Sequence, residues 1–108
     1  MLAWEIVNVS TFYGSLLLDA NMVNNYNGIM YFEAIDNNNT IETQGVSLFR
    51  VVIEGQNQAT GVWTLIDDLT CTDYFYVNRG TFNSDGNNLD VLYFQSQNST
   101  EISRVVQR

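Results

Sequence analysis

A chain of 108 residues has room for one domain, and its 45% hydrophobic content is that of a folded protein. It has no His, no Lys, no Pro and one cysteine, Cys71. The commonest general bases, Schiff-base nucleophiles and metal ligands are therefore missing, and no internal disulfide can form. The formal net charge is −8, with Arg50, Arg79, Arg104 and Arg108 as the only cations, so the basic stripe that nucleic acid or an anionic membrane surface demands cannot be built.

Short apolar runs, separated by Asn, Asp, Gly and Ser clusters, predict eight strands near Trp4–Val9, Phe12–Leu18, Ile29–Ile35, Val46–Glu54, Val62–Asp67, Asp73–Asn78, Leu89–Gln95 and Glu101–Val106. Period-two alternation puts Met30, Phe32 and Ala34 on one face, and Phe49, Val51 and Ile53 on another. Trp63 with Leu65, Phe75 with Val77, and Leu92 with Phe94 complete the expected core. Asn27-Gly28 and Asp85-Gly86 read as tight hairpin turns, because Asn, Asp and Gly tolerate the positive φ of type I′ turns. The segment Leu16–Asn25 is the best helix candidate, and its adjacent Asn24 and Asn25 argue against it. Gly28–Glu33 echoes Asp90–Gln95, as a duplicated hairpin or, more simply, two strands meeting the same packing demand would, and no repeat of the kind solenoids need is visible. The expectation is an all-β single domain over residues 1–108. It has about eight short, mainly antiparallel strands in a sandwich, jelly roll or small barrel.

The opening residues Met1–Glu5 lack a positive n-region, and no apolar stretch is longer than four residues. Both point to synthesis in the cytosol without a signal peptide and without a membrane span. Gly61-Val62-Trp63 resembles the Gly-X-Trp opening of lipocalin-type barrels over those three residues, although it lies past mid-chain here. That resemblance implies a barrel.

Strand alternation also leaves a second set of aromatics opposite the core. Tyr31 neighbours Phe32, Tyr74 and Tyr76 bracket Phe75, and Tyr93 neighbours Phe94. Tyrosine supplies large contact area with a hydrogen-bonding tip at low rotamer cost. Tyr31, Trp63, Tyr74, Tyr76 and Tyr93 are therefore the candidate contacts to a partner or ligand, against the plainer reading of cross-strand packing on a solvated face. The loop 83–90 offers oxygen donors from Asn83, Asp85, Asn87 and Asp90 for Ca²⁺, but it departs from the EF-hand pattern, and a turn accounts for Asp-Gly equally well. Paired carboxylates are the one catalytic device left open: adjacent Asp67 and Asp68, on a strand, point to opposite faces and cannot pair, while Glu33, Glu54, Asp68 and Asp73 could converge in three dimensions. No catalytic residue, cofactor or metal is expected.

Without Lys or Pro, the edge strands lack their commonest defences, so another chain must cover them or the sheet must close on itself. The leading expectation is a non-enzymatic structural protein, a virion (phage) capsid-associated, decoration or tail component in a homo-oligomer or larger assembly. A carbohydrate- or ligand-binding barrel, with Trp63 and the tyrosines lining a concavity, is the alternative. An acidic inhibitor mimicking nucleic acid, with Glu33, Glu54, Asp67, Asp68 and Asp73 clustered, is the third.

Overall fold

The computed structural model describes residues 5–6, 11–12, 14–33, 38–54, 61–96, 99–102 and 105–107, with side chains for 14–33, 38–54 and 61–96. Its strands in chain order are β1 (Glu5–Ile6), β2 (Thr11–Phe12), β3 (Leu16–Leu17), β4 (Val23–Asn24), β5 (Ile29–Phe32) and β6 (Asn39–Glu42). They continue as β7 (Arg50–Glu54), β8 (Val62–Leu65), β9 (Leu69–Asn83), β10 (Leu89–Ser96), β11 (Ser99–Ile102) and β12 (Val105–Gln107). All pairings among them are parallel. The fold is a parallel β-solenoid, in which each coil lies on the one before. This overturns the expected antiparallel sandwich, jelly roll or small barrel, while the all-β class holds.

The coils run over three flanks. On the first, β2, β5, β7, the Tyr74–Val77 part of β9 and the Tyr93–Ser96 part of β10 are successive neighbours. On the second, the order is β3, β6, β8, the Thr81–Asn83 part of β9, and β11. On the third, Leu48 bridges to Cys71, Leu69–Cys71 pairs with Leu89–Val91, and the latter pairs with β12. The 15-residue β9 therefore crosses all three flanks, bending at the corners. A parallel pair needs a long connection, and here the rest of the coil supplies it. Winding also answers the edge problem for interior coils, since β9 has a neighbour on both sides on each flank.

Alternation drives this winding. Burial switches residue by residue in β5, β6, β8 and most of β9. The inward set stacks in columns: Met30, Val51 and Phe75; Phe32, Ile53 and Val77; Leu16, Ile41 and Leu65; Trp63 and Phe82; and Cys71 with Val91. Each of these side chains is at most 1% exposed. The expected core residues Met30, Phe32, Val51, Ile53, Trp63, Leu65, Phe75 and Val77 are thus inside. Phe49 is only half-buried, at a corner beside Arg50. Leu92 is 37% exposed because the β9–β10 register shifts between Val91 and Tyr93. Ala34 lies outside the described residues.

The two predicted hairpins are not hairpins. Asp85-Gly86 does adopt positive φ (50° and 81°), and Asn87 N–H donates to Ser84 C=O at 2.9 Å. The turn takes the chain round a corner into the next parallel strand and does not reverse it. Gln44-Gly45 makes the same corner two coils away, with φ of 50° and 86°. Gly28 has no positive φ; it is held small because a Cβ would meet the Tyr26 ring, 2.5 Å from Cζ. Gly61, φ 96°, opens β8, whose Trp63 faces the solenoid interior, so the lipocalin-type likeness does not carry over to the fold.

Aspartates bind the corners together along the solenoid axis. Asp67 accepts N–H bonds from Thr43 (3.0 Å) and Gln44 (2.7 Å) of the preceding coil. Its neighbour Asp68 accepts from Asn88 N–H of the following coil at 2.8 Å. The two carboxylates do diverge, as expected of adjacent residues, but from a corner and toward neighbouring coils. Their work is turn closure, since an ionised oxygen makes a strong acceptor for a backbone donor.

Candidate functional site: a tyrosine and arginine face

On the first flank, inward Met30, Val51 and Phe75 leave the alternate residues pointing outward. The register then gathers residues far apart in sequence. Tyr31 lies opposite Val52, and Val52 opposite Tyr76. Ile29 lies opposite Arg50, and Tyr74 opposite Tyr93. Four of the five candidate contact residues, Tyr31, Tyr74, Tyr76 and Tyr93, therefore share one outer sheet face. Tyr93 is 56% exposed, and the other three are half-buried. The fifth, Trp63, is not there: it is fully buried between the columns, and its Nε1–H finds no acceptor among the described residues.

The rings are organised along the strand. Tyr74 and Tyr76, two residues apart on β9, stack with centroids 4.2 Å apart and planes 15° from parallel. The Arg50 guanidinium carbon lies 4.6 Å from the Phe49 ring centroid and 5.7 Å from that of Tyr74. Arg50 Nε also donates to Asp73 Oδ2 at 2.7 Å. At the far end of the strand Arg79 donates to Glu54 Oε1 through Nη2 at 2.8 Å and Nε at 3.2 Å, and Asn78 donates to Oε2 at 3.0 Å. Burial pushes the Tyr74 phenol above its ordinary pKa of 10.0, a shift that Arg50 opposes. The hydrogen bond that Arg50 donates to Asp73 raises the guanidinium's pKa further, so it is charged throughout the working pH range.

In the sequence Arg50 stands out only as one of the few cations and Asp73 only as a member of an acidic set; nothing there points to their pairing beside the tyrosines. The available signal was that Arg50 is one of only four cations and directly precedes an apolar run. Its pairing across 23 residues follows only from the parallel register.

Residues of the other candidate sites make structural contacts. In the loop 83–90, Asn83 Oδ1 accepts from Asp85 N–H at 2.9 Å, and Asn87 Nδ2 donates to Leu65 C=O at 3.1 Å. Among the described residues no group of three or more Cys, Asp or Glu side chains converges as a metal site would require. The carboxylates of the nucleic-acid-mimic reading separate: Glu54 and Asp73 are paired with arginines on the tyrosine-bearing flank, while Asp67 and Asp68 close a corner. No helix among the described residues is long and apolar enough to cross a membrane.

Compared with protein-family models, characterised proteins and solved structures, the chain matches none.

Proposed function

We propose that this protein is a non-enzymatic structural module that works by associating with other protein chains, as a component of a larger assembly such as a virion. The observation that carries the reading is the gathering of Tyr31, Tyr74, Tyr76 and Tyr93 on one sheet face with no core role for their hydroxyl tips. Aromatic residues and Arg are the types enriched at protein–protein contacts. A ligand site would set these rings around a concavity; here they stand on a sheet. A sugar-binding platform also needs free ring faces, and the 4.2 Å stack engages one face each of Tyr74 and Tyr76. The sparse charge of the chain suits a neutral, hydrogen-bonding contact, while a net charge of −8 keeps separate copies soluble.

The test is the molar mass by light scattering after size exclusion, across a concentration series. The reading expects a mass that rises above the 12.3 kDa of one chain. A single-chain mass at every concentration would refute it.

A further inference from the structure

The outer tyrosine face is suited to one particular occupant. We propose that it pairs with the same face of a second copy of this chain, related by a two-fold axis, with Arg50 and Asp73 of one copy set against Asp73 and Arg50 of the other. This rests on the association reading above and specifies its surface and partner.

Charge makes the case. Two copies each carrying −8 repel over most of their surfaces. Both arginines among the described residues, Arg50 and Arg79, lie on this flank, and each is matched there by a carboxylate, Asp73 or Glu54. The face is therefore close to neutral in a strongly acidic molecule, so two copies meet here at least electrostatic cost. It is also self-complementary, because it presents both signs side by side, as an isologous contact requires. The Arg50 side chain is 38% exposed and that of Asp73 20% exposed, so both retain surface for a partner.

Shape agrees, and sets the strength. Sheet faces pack about 10 Å apart. Four strands at about 4.8 Å spacing and five residues at about 3.3 Å each span roughly 320 Å². A durable complex buries about 800 Å² per partner. The pairing is therefore weak and appears as concentration rises.

Photo-oxidative tyrosine coupling reads this contact directly, using a ruthenium bipyridyl complex with persulfate on the whole chain. An equal mixture of unlabelled and heavy-isotope-labelled protein is flash-irradiated at high concentration, and light–heavy hybrid dityrosine peptides are mapped by mass spectrometry. The expected links join Tyr31, Tyr74, Tyr76 and Tyr93, and omit Tyr26, whose hydroxyl is bonded to Ile29 C=O. Arg50→Asp should cut the hybrid yield about tenfold or more, since like charges then face each other. Tyr93→Asp, at a 56% exposed site where folding is least at risk, should do the same. An oligomer by light scattering whose hybrid links avoid this face, or whose yield ignores both substitutions, would overturn the pairing and leave association standing on another surface. A single-chain mass throughout, with no hybrid links, would overturn both.

Discussion

Replacing Phe75 by Ala probes the interior column most severely. The ring is fully buried, lies between Val51 and Phe94 in the register, and sits with its centroid 4.7 Å from Phe82 and 6.2 Å from Phe94. A Phe→Ala change in a core costs about 3–5 kcal/mol. The tilted contact with Phe82 adds to it, because aromatic pairs contribute about 0.5–1.5 kcal/mol beyond area. The loss should lie at the upper end, about 4–5 kcal/mol, a large share of the roughly 5–15 kcal/mol that holds such a domain. Phe94 is only half-buried, in the coil beyond β9, so Phe94→Ala should cost less than half as much. Urea unfolding followed by tryptophan fluorescence measures both, since Trp63 is fully buried and its emission reports exposure. If Phe75→Ala unfolds the chain outright, Phe75→Leu preserves the comparison. Equal losses at the two positions, or a Phe75→Ala cost below about 1 kcal/mol, would refute the stacked-column account.

Three further outcomes follow from particular contacts. Asp67→Ala removes the acceptor for two backbone donors of the preceding corner and should lower stability by about 1–2 kcal/mol in the same unfolding assay, the cost of losing a charge-assisted turn bond; an unchanged midpoint would mean water replaces it fully. Gly28→Ala forces the Tyr26 ring aside, breaks its 3.1 Å bond to Ile29 C=O, and should cost about 1–3 kcal/mol; Tyr26→Ala in the same chain should recover part of that loss. Tyr74, whose folded pKa is raised by burial, favours the folded state while its phenol stays neutral. That contribution is complete below about pH 10, the value for an unfolded tyrosine, and is lost as pH rises through the folded value. Phenolate absorbance should show a tyrosine ionising late, and Tyr74→Phe should flatten the stability decline above pH 10.

Much of the inner half of this fold was legible in the sequence. Met30 with Phe32, Val51 with Ile53, Trp63 with Leu65, and Phe75 with Val77 alternate in the chain and are buried in the structure. Alternation, however, is identical for parallel and antiparallel strands, so it carries no information about winding. The turn chemistry misled for the same reason. Asp85-Gly86 has the backbone expected of a hairpin turn yet makes a corner. The repeat is hidden because partners in neighbouring coils are separated by anything from 16 residues (Leu89 to Val105) to 25 (Leu16 to Ile41). Six residues separate β5 from β6, whereas the equivalent stretch of the next coil but one lies within β9. The echo between Gly28–Glu33 and Asp90–Gln95 is genuine in place, since both segments reach the first flank. They are out of phase: Tyr31 shares a row with Tyr76, while Tyr93 shares one with Tyr74. Single tyrosines could be picked out as outward-facing, but their meeting on one face, and the Arg50–Asp73 pair beside them, exist only through the coil register.

The concentration dependence of backbone amide NMR shifts tests the central claim most directly, because it reads the surface and the register in one experiment. The account predicts that raising the concentration moves signals from 29–33, 50–54, 73–77 and 93–95 together, and leaves the corner residues 67–68 and 85–88 in place. Shifts confined to the corners, or scattered over all three flanks, would contradict it.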